Sequence, residues 1–207
     1  MRKKIALFFA CIIWLSVVLQ LYLMLQNRTA TVPETLVRFF SFFTILTNTL
    51  VAVYFTVQFR ELHVLSKPGS LTAITVYITI VGLVYQIVLR PLWQPVGLQK
   101  PVDEMLHSVN PLLVIVYWYG FEARKQVQYQ QILGWLIYPL LYLVYILIRG
   151  SFSGFYPYPF VNVLQIGWQQ TLLNALILFF VFAGLGALFI FLGKMFPERK
   201  SSKATIF

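Results

Sequence analysis

Thr171-Leu-Leu-Asn174-Ala-Leu-Ile-Leu-Phe-Phe-Val-Phe-Ala-Gly184-Leu-Gly186-Ala-Leu-Phe-Ile-Phe-Leu-Gly193 contains no charged side chain. About 20 such residues in a helix cross the ~30 Å hydrocarbon core of a bilayer. The run extends back to Gln169, and similar stretches precede it at roughly 5–25, 36–58, 70–90, 105–122 and 131–149. The fourth is short and draws on residues before His107 to complete a span. Over the whole chain, 59% of the 207 residues are hydrophobic and only 11% are charged. A soluble domain carries about 25% charged residues. The expectation is therefore an all-α polytopic membrane protein, a single domain over residues 1–207 built as a bundle of six transmembrane helices.

The formal net charge of +10 suits loops that face a cytoplasm and touch anionic lipid. With the N-terminus inside, the cytoplasmic flank takes Arg2, Lys3, Lys4, Arg60, Lys67, Arg124, Lys125, Lys194, Arg199, Lys200 and Lys203. The outer flank takes Arg28, Arg38, Arg90, Lys100 and Arg149. This asymmetry predicts both termini in the cytoplasm of an integral plasma-membrane protein. Ile5 to Leu25 is too long for the 7–15-residue core of a secretory signal and reads as a retained anchor. No basic stripe accompanies a nucleic-acid-reading motif, which excludes that class of partner. Cys11 is the single cysteine, so an internal disulfide is excluded.

Polar groups near lipid are costly and mark functional sites by default. Arg38-Phe-Phe-Ser41-Phe-Phe-Thr44-Ile-Leu-Thr47-Asn48 opens the second run, and Asp103-Glu104-Met-Leu-His107-Ser-Val-Asn110-Pro111 opens the fourth. Ser41, Thr44 and Asn48 fall at i, i+3 and i+7, on one helix face. A single Ser or Thr in a membrane helix usually bonds across helices or back to a carbonyl one turn earlier. An amide such as Asn48 needs several partners and strengthens the case for a working face. Pro111 has no N–H, so the carbonyl of His107 is expected to lose its helical partner and the helix to kink. Asp103 and Glu104 precede His107 by one turn. Either could hold the second ring nitrogen as a triad carboxylate does, or simply favour the helix dipole. Glu104-x-x-His107 has the spacing of a di-metal ligand pair, but such centres need a second motif and further carboxylates. No metal or other cofactor is expected.

The predicted orientation puts Ser41 and His107 in the outer-leaflet half. The segment Gly154-Phe-Tyr156-Pro-Tyr158-Pro-Phe160 falls on the same side. Its Tyr-Pro steps disfavour helix, which predicts an interfacial loop folded over the mouth of the bundle.

The second-helix run, His107-Ser-Val-Asn110-Pro111 closing on Tyr117-Trp118, and Phe155-Tyr-Pro-Tyr-Pro-Phe160 together resemble a bacterial family of six-helix membrane proteins. The order and spacing match over nearly the whole chain. That family resembles, at a distance, the animal androgen-induced-gene and androgen-dependent TFPI-regulating proteins. Those relatives hydrolyse fatty acid esters of hydroxy fatty acids through a threonine and a histidine. Lining up the motifs places the threonine on Ser41 and the histidine on His107, with serine for threonine as the departure. The resemblance assigns no third catalytic residue.

The expected function is hydrolysis of a lipid ester by a serine/threonine-type membrane esterase, with membrane lipids as surroundings and a lipid ester as substrate. His107, neutral near pH 7 at an ordinary imidazole pKa of about 6.5, takes the proton from Ser41 as it attacks. An acyl-enzyme forms and is released by water. Asn48, Asn110, Tyr156 and Tyr158 are candidate oxyanion donors, and Thr44 is the next hydroxyl in line as nucleophile. Two alternatives stand beside this one: a lipid acyltransferase using the same residues, and a transporter or binding protein for a small apolar solute. Nothing in the sequence sets an oligomeric state.

Overall fold

The computed structural model describes residues 2–196, so the expected cytoplasmic charges Arg199, Lys200 and Lys203, with Glu198, lie outside the described residues. Every regular element among the described residues is helical. A long α1 (Arg2–Gln26) leads to a short α2 (Val32–Phe39) and then α3 (Phe43–Phe59). After a turn, α4 (Ser70–Val84) is prolonged by a π-helical turn, Tyr85–Leu89. Next, α5 (Gln99–Glu104), a second π-helical turn (Met105–Val109) and α6 (Asn110–Phe121) follow one another without a gap. Then α7 (Gln131–Trp135) runs into α8 (Ile137–Ser153), and α9 (Val163–Met195), the last element among the described residues, carries a break in direction at Gly167.

Among the described residues, four stretches are long and apolar enough to cross a membrane: Arg2–Gln26, Ser70–Leu89, Gln131–Ser153 and Val163–Met195. The pair α2 and α3 makes a fifth, bent by 73°. The expected 105–122 run is helical, but His107, Asn110 and Pro111 in its first half, and Asp103 and Glu104 just before it, dilute the hydropathy. In the Ser70–Leu89 stretch 67% of the most apolar window is buried, against 11% for Gln131–Ser153. The α4 helix is thus the central post, packed by α3, α6 and α9, while α8 faces outward. Leu133, Leu140, Leu141, Ile148, Leu172 and Phe180 on the outer helices are exposed. In water so wide an apolar surface would drive association; against hydrocarbon it carries no penalty.

Charges gather at the two ends of the bundle. At one end Arg2 donates to Gln58 at 2.9 Å, and Glu122 accepts from the backbone N–H and hydroxyl of Thr72 at 2.9 and 3.2 Å. Gly69 precedes α4 and has no side-chain oxygen to cap it, so the Glu122 carboxylate does so from a distant loop, worth about 1 kcal/mol. At the other end Glu34 accepts from Arg38 and Arg149, each at 2.8 Å. Both guanidinium groups lie over the Phe155 ring, 4.7 and 4.8 Å from its centre, which ties α2, α8 and the loop after α8 together.

The expected continuous helix over 36–58 is broken at residues 40–42. The reason lies outside the segment. Tyr142 of α8 donates its hydroxyl to the Ser41 carbonyl at 2.9 Å, and Tyr158 of the loop accepts from the Thr44 N–H at 3.2 Å. Backbone groups that a straight helix would pair internally are paired by tyrosines instead. Ser41 therefore sits in the bend and does not share a helix face with Thr44 and Asn48. The connection left between the apolar runs, 150–168, shrinks to residues 154–162, because α8 runs on to Ser153 and α9 begins at Val163.

Candidate functional site

Thr44 stands in the first turn of α3, where backbone N–H groups have no intrahelical acceptor. Its Oγ1 lies 3.3 Å from His107 Nε2 and 3.3 Å from the Tyr158 hydroxyl. The first two N–H groups beyond Thr44, those of Ile45 and Leu46, both go to the Phe42 carbonyl, leaving Thr44's for Tyr158. The positive end of the α3 dipole thus points at the hydroxyl nearest the imidazole.

His107 occupies the middle of the second π-helical turn. Its Nδ1 lies 2.9 Å from the Asp103 carbonyl oxygen. A carbonyl only accepts, so Nδ1 carries a proton, and in the neutral ring Nε2 presents its lone pair to Thr44. The ring stacks on Tyr85, with centres 4.0 Å apart and planes 13° from parallel. Tyr85 begins the other π-helical turn, so two such turns meet at the imidazole. Widened turns of this kind are frequent at functional sites.

Pro111 does disturb the helix, but the carbonyl that takes an outside donor is that of Leu106. In the π register the Asn110 N–H bonds the Met105 carbonyl, and the next donor in line would be the missing N–H of Pro111. Asn48 Nδ2 takes its place on the Leu106 oxygen at 3.3 Å, and also donates to the Thr44 carbonyl at 2.9 Å. Asn110 Nδ2 donates to Asn48 Oδ1 at 2.7 Å and to Ser16 Oγ at 2.9 Å. This buried network fastens α1 and α3 to the turn that carries the imidazole. The α4 helix backs it closely: a Cβ at Gly82 would lie 3.0 Å from the His107 carbonyl oxygen.

The remaining expected residues fall as follows. Ser41 has no exposed surface; its hydroxyl donates to the Val37 carbonyl at 2.7 Å and lies 3.3 Å from the Tyr145 hydroxyl. Thr44, not Ser41, is the hydroxyl brought to His107. Neither candidate carboxylate holds the imidazole. Asp103 accepts from Trp93 Nε1 at 2.6 Å and Gln99 Nε2 at 2.9 Å, while Glu104 pairs with Arg90 and accepts from Ser108 Oγ. The backbone of Asp103 does the orienting. Asn48 and Asn110 are fully buried and brace the turn, facing neither cavity described below. Tyr156 packs over Gly150, filling the space a Cβ would take. Tyr158 alone among the expected oxyanion donors reaches the Thr44 hydroxyl; Asn48 touches only the Thr44 carbonyl. Tyr85 was not foreseen, and no local pattern marks it, because its partner comes from a different run.

A cavity of about 900 Å³ opens beside the pair. Thr44, Tyr85, Asp103 and His107 line it, with Arg28, Arg38 and Gln99, and the loop residues Phe155, Pro157, Tyr158 and Pro159 form one wall. The expected position of this loop over the site agrees with that. A second cavity of about 110 Å³ lies on the other side of Thr44 and Tyr158, which line both. A hydroxyl against an oriented imidazole, at a helix N-terminus and beside a cavity, has the parts of an activated nucleophile. Compared with family models, with curated proteins and with solved structures, the chain finds no match in any of the three.

Proposed function

We propose that this protein is a membrane ester hydrolase in which Thr44 is the nucleophile and His107 the general base, acting on a lipid ester at the outer side of a six-pass bundle with cytoplasmic termini. The observation that carries the reading is the 3.3 Å approach of Thr44 Oγ1 to His107 Nε2, with the other ring nitrogen held by the Asp103 carbonyl. Catalytic hydrogen bonds are often this long before substrate binds and tighten in the reacting complex. The motif resemblance supports the reaction class. The geometry favours moving the nucleophile from Ser41 to Thr44, three residues on.

Thr44 Oγ1 attacks the acyl carbon while its proton passes to His107 Nε2. An ester oxygen placed between Tyr158 and the Thr44 N–H accepts from both, and each such donor is worth about 3–4 kcal/mol in the transition state. The acyl–oxygen bond of the ester then breaks, and the imidazolium returns the proton to the leaving alcohol. Water attacks the acyl-threonine with the same histidine as base, releasing the acid and restoring the hydroxyl. An alcohol in place of water would make the same site an acyltransferase.

The test is intact-protein and peptide mass spectrometry after brief exposure of the purified protein to a p-nitrophenyl acyl ester. An acyl group on Thr44 that is absent in His107→Ala is the expected result. Hydrolysis with the adduct on another residue would overturn the assignment, and no turnover by folded protein of any tested lipid ester would overturn the hydrolase reading.

A further inference from the structure

The two spaces that meet at Thr44 differ in kind. The larger carries Arg28, Arg38, Asp103 and Gln99 among its lining groups. The smaller is walled by carbon: Ile80, Val84, Leu140, Ala175, Phe179 and Phe182 are typical, and Thr44, Tyr142 and Tyr158 are the lining residues with polar side chains. It lies where α8 and α9 approach one another, and its rim includes Leu140 on α8 and Phe179 on α9, both exposed on the outer, lipid-facing side. Thr44 and Tyr158 line both spaces, so the reacting hydroxyl sits on the boundary.

We infer that the apolar cavity is the acyl-chain site, entered sideways from the bilayer through the cleft between α8 and α9. The substrate is then an ester with one long hydrocarbon acyl group in this cleft and its alcohol part in the polar cavity, the scissile carbonyl lying at Thr44. This rests on the Thr44–His107 reading and adds the shape of the substrate to it. About 110 Å³ holds only a short run of methylenes next to the carbonyl; the rest of the chain lies along the cleft and in the lipid. A dry, carbon-lined space has no partners to offer water and suits an alkyl chain. A carbonyl oxygen drawing the Tyr158 hydroxyl away from the Thr44 N–H moves a ring that lines both spaces.

Ala175→Phe and, on the facing helix, Leu140→Trp fill the cleft. The readout is the ratio of kcat/KM for dodecanoyl over butanoyl p-nitrophenyl esters, in bilayer nanodiscs. Each methylene excluded costs about fourfold, so shutting out two or three lowers the ratio roughly 15- to 60-fold. Leu176→Phe, on the exposed side of α9 and outside the cleft, leaves the ratio unchanged. A second measurement needs no turnover. A palmitate analogue with a mid-chain diazirine is photo-crosslinked to the wild type and to Thr44→Ala, and the labelled peptides are mapped. Saturable labelling of the facing surfaces of α8 and α9, lost in Ala175→Phe, is expected. If such labelling occurs but no ester is turned over, the hydrolase reading fails and the chain site stands. An unchanged ratio in both folded cleft variants, or labelling spread unsaturably over the outer faces, overturns the inference.

Discussion

Replacing Ser41 and Thr44 one at a time with alanine separates two hydroxyls only three positions apart. Ser41→Ala removes a hydroxyl bonded to its own helix at 2.7 Å and touching Tyr145 at 3.3 Å. That loss is about 1 kcal/mol of stability, with the imidazole untouched. Turnover is expected to stay within about threefold. Thr44→Ala removes the hydroxyl that faces His107 and Tyr158, together with a methyl group that is nearly enclosed, Thr44 being 7% exposed. The stability cost is about 1–3 kcal/mol. The covalent route disappears. Removing the nucleophile of a hydrolase costs up to about 10⁶-fold in kcat, so a fall of more than about 10³-fold is expected. Thr44→Ser keeps the hydroxyl and retains activity within about tenfold. The assay pairs ester hydrolysis with labelling by a fluorophosphonate, and thermal unfolding in detergent controls for folding. Labelling and turnover that vanish in Ser41→Ala but survive in Thr44→Ala would refute the reasoning and return the nucleophile to the bend.

Tyr158→Phe deletes one hydroxyl beside Thr44 and is expected to lower kcat by about 10²–10³-fold with little change in KM; a loss under threefold would place oxyanion stabilisation elsewhere. Asp103→Asn and Glu104→Gln leave the backbone carbonyl on the imidazole, so kcat is expected to stay within about threefold in each; a hundredfold loss in either would restore a carboxylate to the orienting role. Gly82→Ala drives a Cβ to 3.0 Å from the His107 carbonyl oxygen. Overpacking of this kind costs about 1–3 kcal/mol and shifts the imidazole, so kcat drops about tenfold or more, measured beside the thermal midpoint; unchanged kinetics would show that the π-helical turn tolerates displacement.

The helical character of the chain, with runs apolar enough to cross a membrane, was legible because hydropathy is a local sum. A run such as Thr171–Gly193 needs no knowledge of its neighbours to read as a helix in lipid. The segments that supply the candidate site were also legible, since Asn48, His107 and Tyr158 are polar groups set in apolar runs or beside them. The number of passes was less legible: the 105–122 run is helical, but its polar first half keeps it from qualifying as a span by length and composition.

Which hydroxyl meets the imidazole was decided by tertiary structure alone. Spacing put Ser41, Thr44 and Asn48 on one helix face, and that holds only if the helix is unbroken. The bend at residues 40–42 contains no proline or glycine; it is held by Tyr142 and Tyr158, about a hundred residues away, which pair backbone groups the helix would otherwise pair itself. The orienting group for His107 was hidden for a similar reason. A side chain can be read from the sequence, but a backbone carbonyl becomes a partner only through the register of the turn around it, and that register depends on Pro111, on Asn48 and on the close packing of Gly82.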